Sequence, residues 1–371
     1  MIDYILLFPY YLILKIRHFF YDHGWKKVSK SPVKTIGIGN LTVGGTGKTP
    51  HAEMVIRSLL MQGEVGSRDI ALLSRGHKRK LRGFQILPKN PDASLYGDEP
   101  SQIKNKFPHI TVAVDKNRVR GCNALNSPDE FLKSKAGRKC RVKEFPKADI
   151  VVLDDVLQYR SLKPDLSIML VDFSRPVFRD RLMPLGRLRD LRERLSSADV
   201  IIVTKCPFEL NGFDRGNWAE ALGVEHYDVS ECRGDRQWLF FTTISYDEAL
   251  PVFYIGDQRY IYSTRAVVFS GIADDTRFCN EIRLNYRIVS HLRYPDHHKF
   301  TKSDVREIYA AAKANPTSVV LTTEKDCQRM RQVENVPEEL KKRMFYIPIR
   351  ASFLDSAQAD IFNKLLFLSI E

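Results

Sequence analysis

The six cysteines of this 371-residue chain (Cys122, Cys140, Cys206, Cys232, Cys279 and Cys327) are scattered, and no two form a C-x-x-C pair. Zinc knuckles and disulfide frameworks need closely set or evenly paired thiols. The scatter therefore argues against both and favours a reducing compartment. The chain also lacks an apolar run long enough to span a bilayer. The charge-free stretch Tyr4–Leu14 has 11 residues, whereas a spanning helix requires about 20. No basic region precedes that stretch and no small-residue cleavage site follows it, so a secretory signal is not expected. Internal repeats and low-complexity tracts are absent. Acidic residues are in short supply, 45 against 58 Lys and Arg, for a net charge of +13. Such an excess implies an anionic partner: nucleic acid, acidic lipid head groups or a phosphorylated substrate.

Against these absences stands one rich segment, Val43-Gly44-Gly45-Thr46-Gly47-Lys48-Thr49. A glycine-rich loop that ends in Lys-Thr at a helix start turns several backbone N–H groups toward one point. That arrangement cradles a polyphosphate, with Lys48 reaching the β/γ-phosphates and the Thr49 hydroxyl on Mg²⁺. Val33, Ile36 and Ile38 form a short strand-like run before it. Ala52, Val55, Ile56, Leu59 and Leu60 follow helical spacing after it, with Pro50 in the first turn. The strict G-x-x-x-x-G-K-[ST] pattern asks for glycine at position 42, where this chain has Thr42.

Around this loop the sequence predicts an α/β fold: a P-loop-containing, mostly parallel sheet domain followed by a second, smaller α/β domain. The expected strands are Val33–Ile38, Ile70–Leu73, Thr111–Val114, Ile150–Leu153, Leu166–Val171 and Val200–Val203, alternating with helices. Trp238–Ile244 and Pro251–Tyr254 read as a hairpin or linker. The strand Ala266–Ser270, a helix opened by the capping-box-like Thr301-Lys302-Ser303-Asp304, and the strand Val319–Thr322 belong to the second unit. The expected division is an N-terminal helix over 1–30, a P-loop domain over 31–235, a two-stranded β linker over 236–262 and a C-terminal α/β domain over 263–371. Residues 131–147 carry seven basic side chains against one acidic and read as an exposed basic, solvated surface.

Lys15, Arg17, His18, Lys26, Lys27 and Lys30 follow the apolar start of the chain. An apolar, aromatic helix with basic residues behind it suits the plane of an anionic membrane surface, which is the favoured reading. The alternative is a helix packed on the protein's own core.

Asp154 and Asp155 end the apolar run Ile150–Leu153. An apolar strand ending in Asp is what P-loop enzymes use to hold Mg²⁺ or its waters, and the loop upstream gives this pair more weight than a turn aspartate has alone. Gly97-Asp98-Glu99-Pro100 taken alone is an acidic turn. Pro295-Asp296-His297-His298 taken alone is a surface loop whose adjacent histidines point apart, which argues against a metal site made by both.

Taken in order, the segments Gly39–Pro50, Leu73-Ser74-Arg75-Gly76, Gly97–Pro100, Leu153-Asp154-Asp155-Val156-Leu157-Gln158, Pro184-Leu185-Gly186-Arg187-Leu188-Arg189, Pro295–His298 and Thr323-Glu324-Lys325-Asp326 are more specific than any one of them. Together they resemble the tetraacyldisaccharide 4'-kinase family, the lipid A 4'-kinases of Gram-negative bacteria, over nearly the whole chain. Thr42 is that family's own residue. The resemblance implies ATP and Mg²⁺ as cofactors and transfer of the γ-phosphoryl group to the 4'-hydroxyl of a tetraacylated glucosamine disaccharide 1-phosphate. It also implies the cytoplasmic face of the inner membrane and a membrane-associated N-terminal helix. It casts Asp98 as catalytic base and His297 as its partner, with Thr42, Val43, Gly44, Gly45, Thr46, Gly47, Lys48 and Thr49 on the nucleotide. Arg75, Arg187 and Arg189 lie in the resembling motifs as candidates for phosphate binding, with an exposed structural role equally open for each. After Asp154-Asp155 the chain reads Val156-Leu157-Gln158-Tyr159 where the family usually has Gly-Phe-Gln-His. After Arg75-Gly76 it reads His77-Lys78-Arg79-Lys80 in place of a Tyr-Gly pair. Both changes bear on the shape of the acceptor site.

Other classes fare worse. Partitioning ATPases carry a signature lysine where this chain has Val43. A GTPase would read its base with Asn-Lys-x-Asp, and Val203-Thr204-Lys205-Cys206 lacks the aspartate. No nucleic-acid-binding module is present, so lipid and phosphorylated substrate account better for the charge. No obligate protein partner is inferred.

Overall fold

The computed structural model describes residues 2–61, 69–224 and 237–370. Cys232 and the domain boundary expected near residue 235 lie outside them. By internal packing the chain forms two units.

Unit 1 comprises Met1–Asn90, Ile103–Ile244 and Ala351–Glu371. It opens with helix α1 (Ile2–Asp22). Its strands are Ser29–Lys30 (β1), Lys34–Asn40 (β2), Ile70–Ser74 (β3), Gln85–Ile86 (β4), Thr111–Val114 (β5), Ile150–Asp154 (β6), Leu162–Lys163 (β7), Leu166–Asp172 (β8), Val200–Thr204 (β9) and Trp238–Tyr246 (β10). β1 and β7 form a small parallel pair. The main sheet runs β10-β9-β8-β2-β6-β3-β5-β4. Its pairings are parallel apart from the antiparallel β4–β5 edge. β3, β6, β8 and β9 are buried along their whole length, as parallel strands covered on both faces must be. Alternate side chains feed two cores. Ala71, Leu73, Val151 and Leu153 pack with Phe84 and Leu125 in one, and Met169, Val171, Ile201, Val203 and Phe241 pack with Leu188 and Leu222 in the other. The strands after β2 spread to both its sides, so the loop that follows β2 emerges where the strand order reverses, at the carboxyl edge.

Unit 2 comprises Pro91–Gln102 and Ser245–Arg350. Its strands are Leu250–Pro251 (β11), Arg265–Ser270 (β12), Arg287–Arg293 (β13), Val319–Thr323 (β14) and Met344–Ile347 (β15), in the order β11-β15-β14-β12-β13. All pairings in it are parallel except β11–β15. The expected helix start is present: Thr301 and Asp304 complete a capping box on helix Lys302–Ala314.

Three expectations change. Trp238–Ile244 is not half of a hairpin, because β10 joins the main sheet in parallel register, Trp238 opposite Val200, and Pro251 pairs with Phe345 instead. Residues 351–371 pack with unit 1 rather than with 263–350. The last strand, Ile349–Phe353 (β16), lies beside β10, and Phe362 of the last helix meets Phe240 edge-on at 5.5 Å. Gly97–Pro100 is a helix start rather than a plain turn: Asp98–Lys106 is helical, with Asp98 and Glu99 in its first turn and Lys104 and Lys106 in its last, the order the helix dipole favours. The basic side chains between 131 and 147 are exposed as expected, while Phe145 beneath them packs into the first core.

Candidate active site

In unit 1 the carboxyl ends of five parallel strands bring Asn40, Ser74, Asp154, Asp172 and Thr204 to one edge of the sheet. The loop after β2 is built over Asn40, which is buried. Asn40 Nδ2 donates to the Thr42 carbonyl and to Thr46 Oγ1, both at 2.8 Å, and its Oδ1 accepts from Lys48 Nζ at 3.3 Å. One amide side chain therefore ties together both ends of the loop. Gly44 and Gly47 take left-handed backbone angles, φ 109° and 89°, that side chains with a Cβ rarely adopt. Thr42 pairs in antiparallel fashion with Leu188, so the segment carrying Arg187 and Arg189 lies along the loop's entry. Helix α2 (Lys48–Met61) then starts at the Lys-Thr pair.

His51, one turn into α2, is buried. Its Nδ1 donates to the Gly47 carbonyl at 2.7 Å, and its Nε2 lies 2.8 Å from Thr242 Oγ1. Burial is the main reason that its pKa falls from 6.5 to about 4, against the Gly47 bond and with help from the Lys205 charge. The ring is thus neutral and props the loop from below.

Asp155, at a left-handed φ of 51°, sits 3.8 Å from Lys48 Nζ and 2.6 Å from Arg189 Nη2. Burial opposes its ionisation, yet the Arg189 bond and the charges of Lys48, Arg189 and Arg118 hold its carboxyl below the usual range. Asp154 is buried at the end of β6 and accepts from Ser74 Oγ at 3.0 Å. Asp172 pairs with Lys205 at 2.5 Å. An open cleft is lined by Thr42–Thr46, Asp172, Arg175, Asp180, Arg187 and Lys205. Lys48, Asp155 and Arg189 are thus gathered in one cluster and Arg187 flanks the loop, while Arg75 is exposed just past β3. Arg189 is engaged with Asp155 and Asn40 rather than displayed to solvent.

Helix α1 reaches the same neighbourhood. Tyr10 Oη donates to the Arg189 carbonyl at 2.9 Å, and the buried His18 Nε2 meets Asp190 Oδ1 at 2.6 Å. Arg160 donates to His18 Nδ1 and pairs with Asp22. Leu14 is buried on the same face, whereas Phe8, Leu12, Ile13, Ile16 and Phe19 are exposed. The helix therefore packs on unit 1 along one face, as the alternative expectation has it, and leaves an apolar face exposed.

In unit 2, Asp98 and His297 come together around a residue that sequence reasoning missed, Arg329. Its Nε and Nη2 lie 3.1 and 3.0 Å from Asp98 Oδ2. Nη2 is also 3.1 Å from His297 Nδ1, and His297 Nδ1 is 3.8 Å from Asp98 Oδ2. His297 holds a left-handed φ of 62°, fixed by its N–H donating to the Gly271 carbonyl. Its neighbour His298 turns away to Asp304 at 2.9 Å, so the two histidines do diverge. The available signal was spacing: Arg329 follows Asp326 by three positions, which puts both on one helical face.

The comparisons with known proteins agree with one another. The family profile described as tetraacyldisaccharide-1-P 4'-kinase matches residues 4–366. A tetraacyldisaccharide 4'-kinase of Phocaeicola vulgatus is 33% identical over 94% of this chain and 89% of its own length. That of Parabacteroides distasonis is 35% identical over 93% and 88%, and that of Flavobacterium psychrophilum is 33% identical over 98% and 96%. The fold is shared with the crystal structure of LpxK from Aquifex aeolicus in complex with ATP, at a TM-score of 0.69, 24% identity and 98% coverage of both chains. With a full-length family match and relatives above 30% identity, the chain belongs to the tetraacyldisaccharide-1-P 4'-kinase family.

Proposed function

We propose that this protein transfers the γ-phosphoryl group of ATP to the 4'-hydroxyl of a tetraacylated glucosamine disaccharide 1-phosphate in lipid A biosynthesis, at the cytoplasmic surface of the inner membrane. The family match over residues 4–366 carries the reading, and the geometry of each unit supplies its parts.

The loop from Thr42 to Thr49 is the proposed triphosphate cradle. Its glycine angles and its position at the start of α2 suit backbone N–H donation to phosphate oxygens, and Lys48 supplies a compact positive charge to the β/γ-phosphates. Thr49, Asp154 and Asp155 offer the hard oxygen donors that Mg²⁺ selects, consistent with a carboxylate kept ionised by its cationic neighbours. Bound there, Mg²⁺ would neutralise charge on the β- and γ-phosphate oxygens. Arg187, lining the cleft beside the loop, is a second phosphate contact. Arg189 orders Asp155 and Asn40, and Arg75 remains a candidate for substrate phosphate.

Asp98 is the proposed general base. The sugar hydroxyl is a poor nucleophile. As its oxygen bonds to the γ-phosphorus and the bond to ADP breaks, the hydroxyl proton passes to the Asp98 carboxylate, with His297 beside it. A positioned base of this kind contributes about 10²–10⁴-fold.

Among the described residues no helix is long and apolar enough to cross a membrane. The exposed apolar face of α1 instead suits shallow insertion, with the basic residues that follow it facing anionic head groups.

Incubation with γ-labelled ATP and the disaccharide 1-phosphate tests the reading. Label should enter the lipid, and Lys48→Ala should reduce transfer by at least about 10²-fold. Label released only as inorganic phosphate would favour a nucleotide switch over a kinase.

A further inference from the structure

The Thr323-Glu324-Lys325-Asp326 segment stands out in the sequence, yet the assignments above give it no task. The Asp326 carboxylate is wholly buried. Its Oδ2 accepts from the Gly271 N–H and from Thr323 Oγ1 at 2.8 and 2.7 Å, and its Oδ1 accepts from Arg329 Nη1 at 2.9 Å. Every N–H of the Arg329 guanidinium has an acceptor: Asp98 Oδ2 twice, His297 Nδ1, the Gly271 carbonyl and Asp326 Oδ1. A planar fork with five donors can do this, and a lysine ammonium with three cannot.

We infer that Arg329 is a positioning residue for phosphoryl transfer, anchored by Asp326 and fixing both the Asp98 carboxylate and the tautomer of His297. The inference rests on the proposed roles of Asp98 and His297. Two consequences follow from the donor directions. Both bonds from Arg329 end on Oδ2 of Asp98, which assigns the hydroxyl proton to Oδ1. Because Arg329 donates to Nδ1 of His297, that nitrogen is an acceptor and the ring proton resides on Nε2, 3.7 Å from Asp296 Oδ2. A carboxylate at the first turn of a helix, with its side chain about one-third exposed, would otherwise sample several rotamers. Misplacing a reacting group by about 1 Å costs on the order of 10²-fold.

The test is a mutant cycle on the full-length enzyme. R329K keeps the charge and loses the fork. It should lower kcat by about 10–10²-fold with the KM for ATP within about twofold. D326N, which leaves Arg329 in place but loosens its anchor, should lower kcat in the same direction by less. Thermal melting of each variant reports on folding. The decisive arm adds R329K to D98A, with residual transfer followed by labelled ATP over long incubations. With the positioned carboxylate gone, R329K should cause no further loss. Wild-type kcat in R329K, or an equal loss in both backgrounds, would overturn the positioning role and leave Asp98 as the base. Full activity in D98A would instead remove the base assignment itself, and with it this inference.

Discussion

At the scale of single residues, His51 shows how a buried side chain can support the proposed nucleotide loop. Its buried ring links the Gly47 carbonyl to Thr242 on β10, and a second proton would place a charge there away from water. The native pKa of about 4 lies below the ordinary 6.5. The unfolded chain therefore takes up a proton as pH falls below 6.5, while the native state does not until about 4. This contribution to stability is intact above 6.5 and is lost as pH falls toward 4. Between pH 7 and pH 5 the loss should be about 2 kcal/mol. Urea unfolding at the two pH values checks it, with H51Q as reference. A drop of the same size in H51Q would assign the effect to other groups. Much of the candidate site could be proposed at this scale because its parts are local: a loop of consecutive residues, and a carboxylate pair closing an apolar run. Arg329 was not legible, because its meaning comes from Asp98, 231 positions away.

At the scale of elements, α1 has two faces with different surroundings. Leu14 and His18 dock it to unit 1, and Phe8, Leu12 and Ile16 face outward. Replacing those three by serine should leave the docking face and the melting temperature largely intact. Each apolar side chain removed from a half-immersed position should weaken vesicle binding by about 1 kcal/mol, so the triple variant should partition about 10²-fold less to anionic vesicles. Unchanged partitioning in a co-sedimentation assay would leave the outward face without a membrane role. The strands divide by the same logic of faces. β3, β6, β8 and β9 announced themselves because a strand buried on both faces must be apolar throughout. β13, Arg287–Arg293, is half-buried along most of its length and carries neither a continuous apolar run nor a clean alternation. β10 was legible as a strand but not as a sheet member, since its place is fixed by pairing with β9, which no local pattern encodes.

At the scale of the whole molecule, the thiols report on integrity. Burial pushes Cys122 up to about 11 and Cys206 and Cys327 up to about 12, and raises Cys140 and Cys279 as well. Peptide mapping after alkylation at pH 8 should find these five unmodified in the native protein and modified in urea, because attack needs an exposed thiolate. Rapid native labelling at any of them would mean that its surroundings open far below the global unfolding free energy. The noncontiguous make-up of unit 1 carries a different consequence, one for the order in which the protein is made. Chains generally fold domain by domain from the N-terminus during synthesis. Here the main sheet obtains most of β16 (Ala351–Phe353) and the Phe240–Phe362 contact from residues translated after all of unit 2. A ribosome that has delivered everything through Arg350 still holds an unfinished sheet, whose β10 edge lacks most of its neighbour. Unit 2, the later to begin its strands but the first to have all of its residues, is the part that can be completed first.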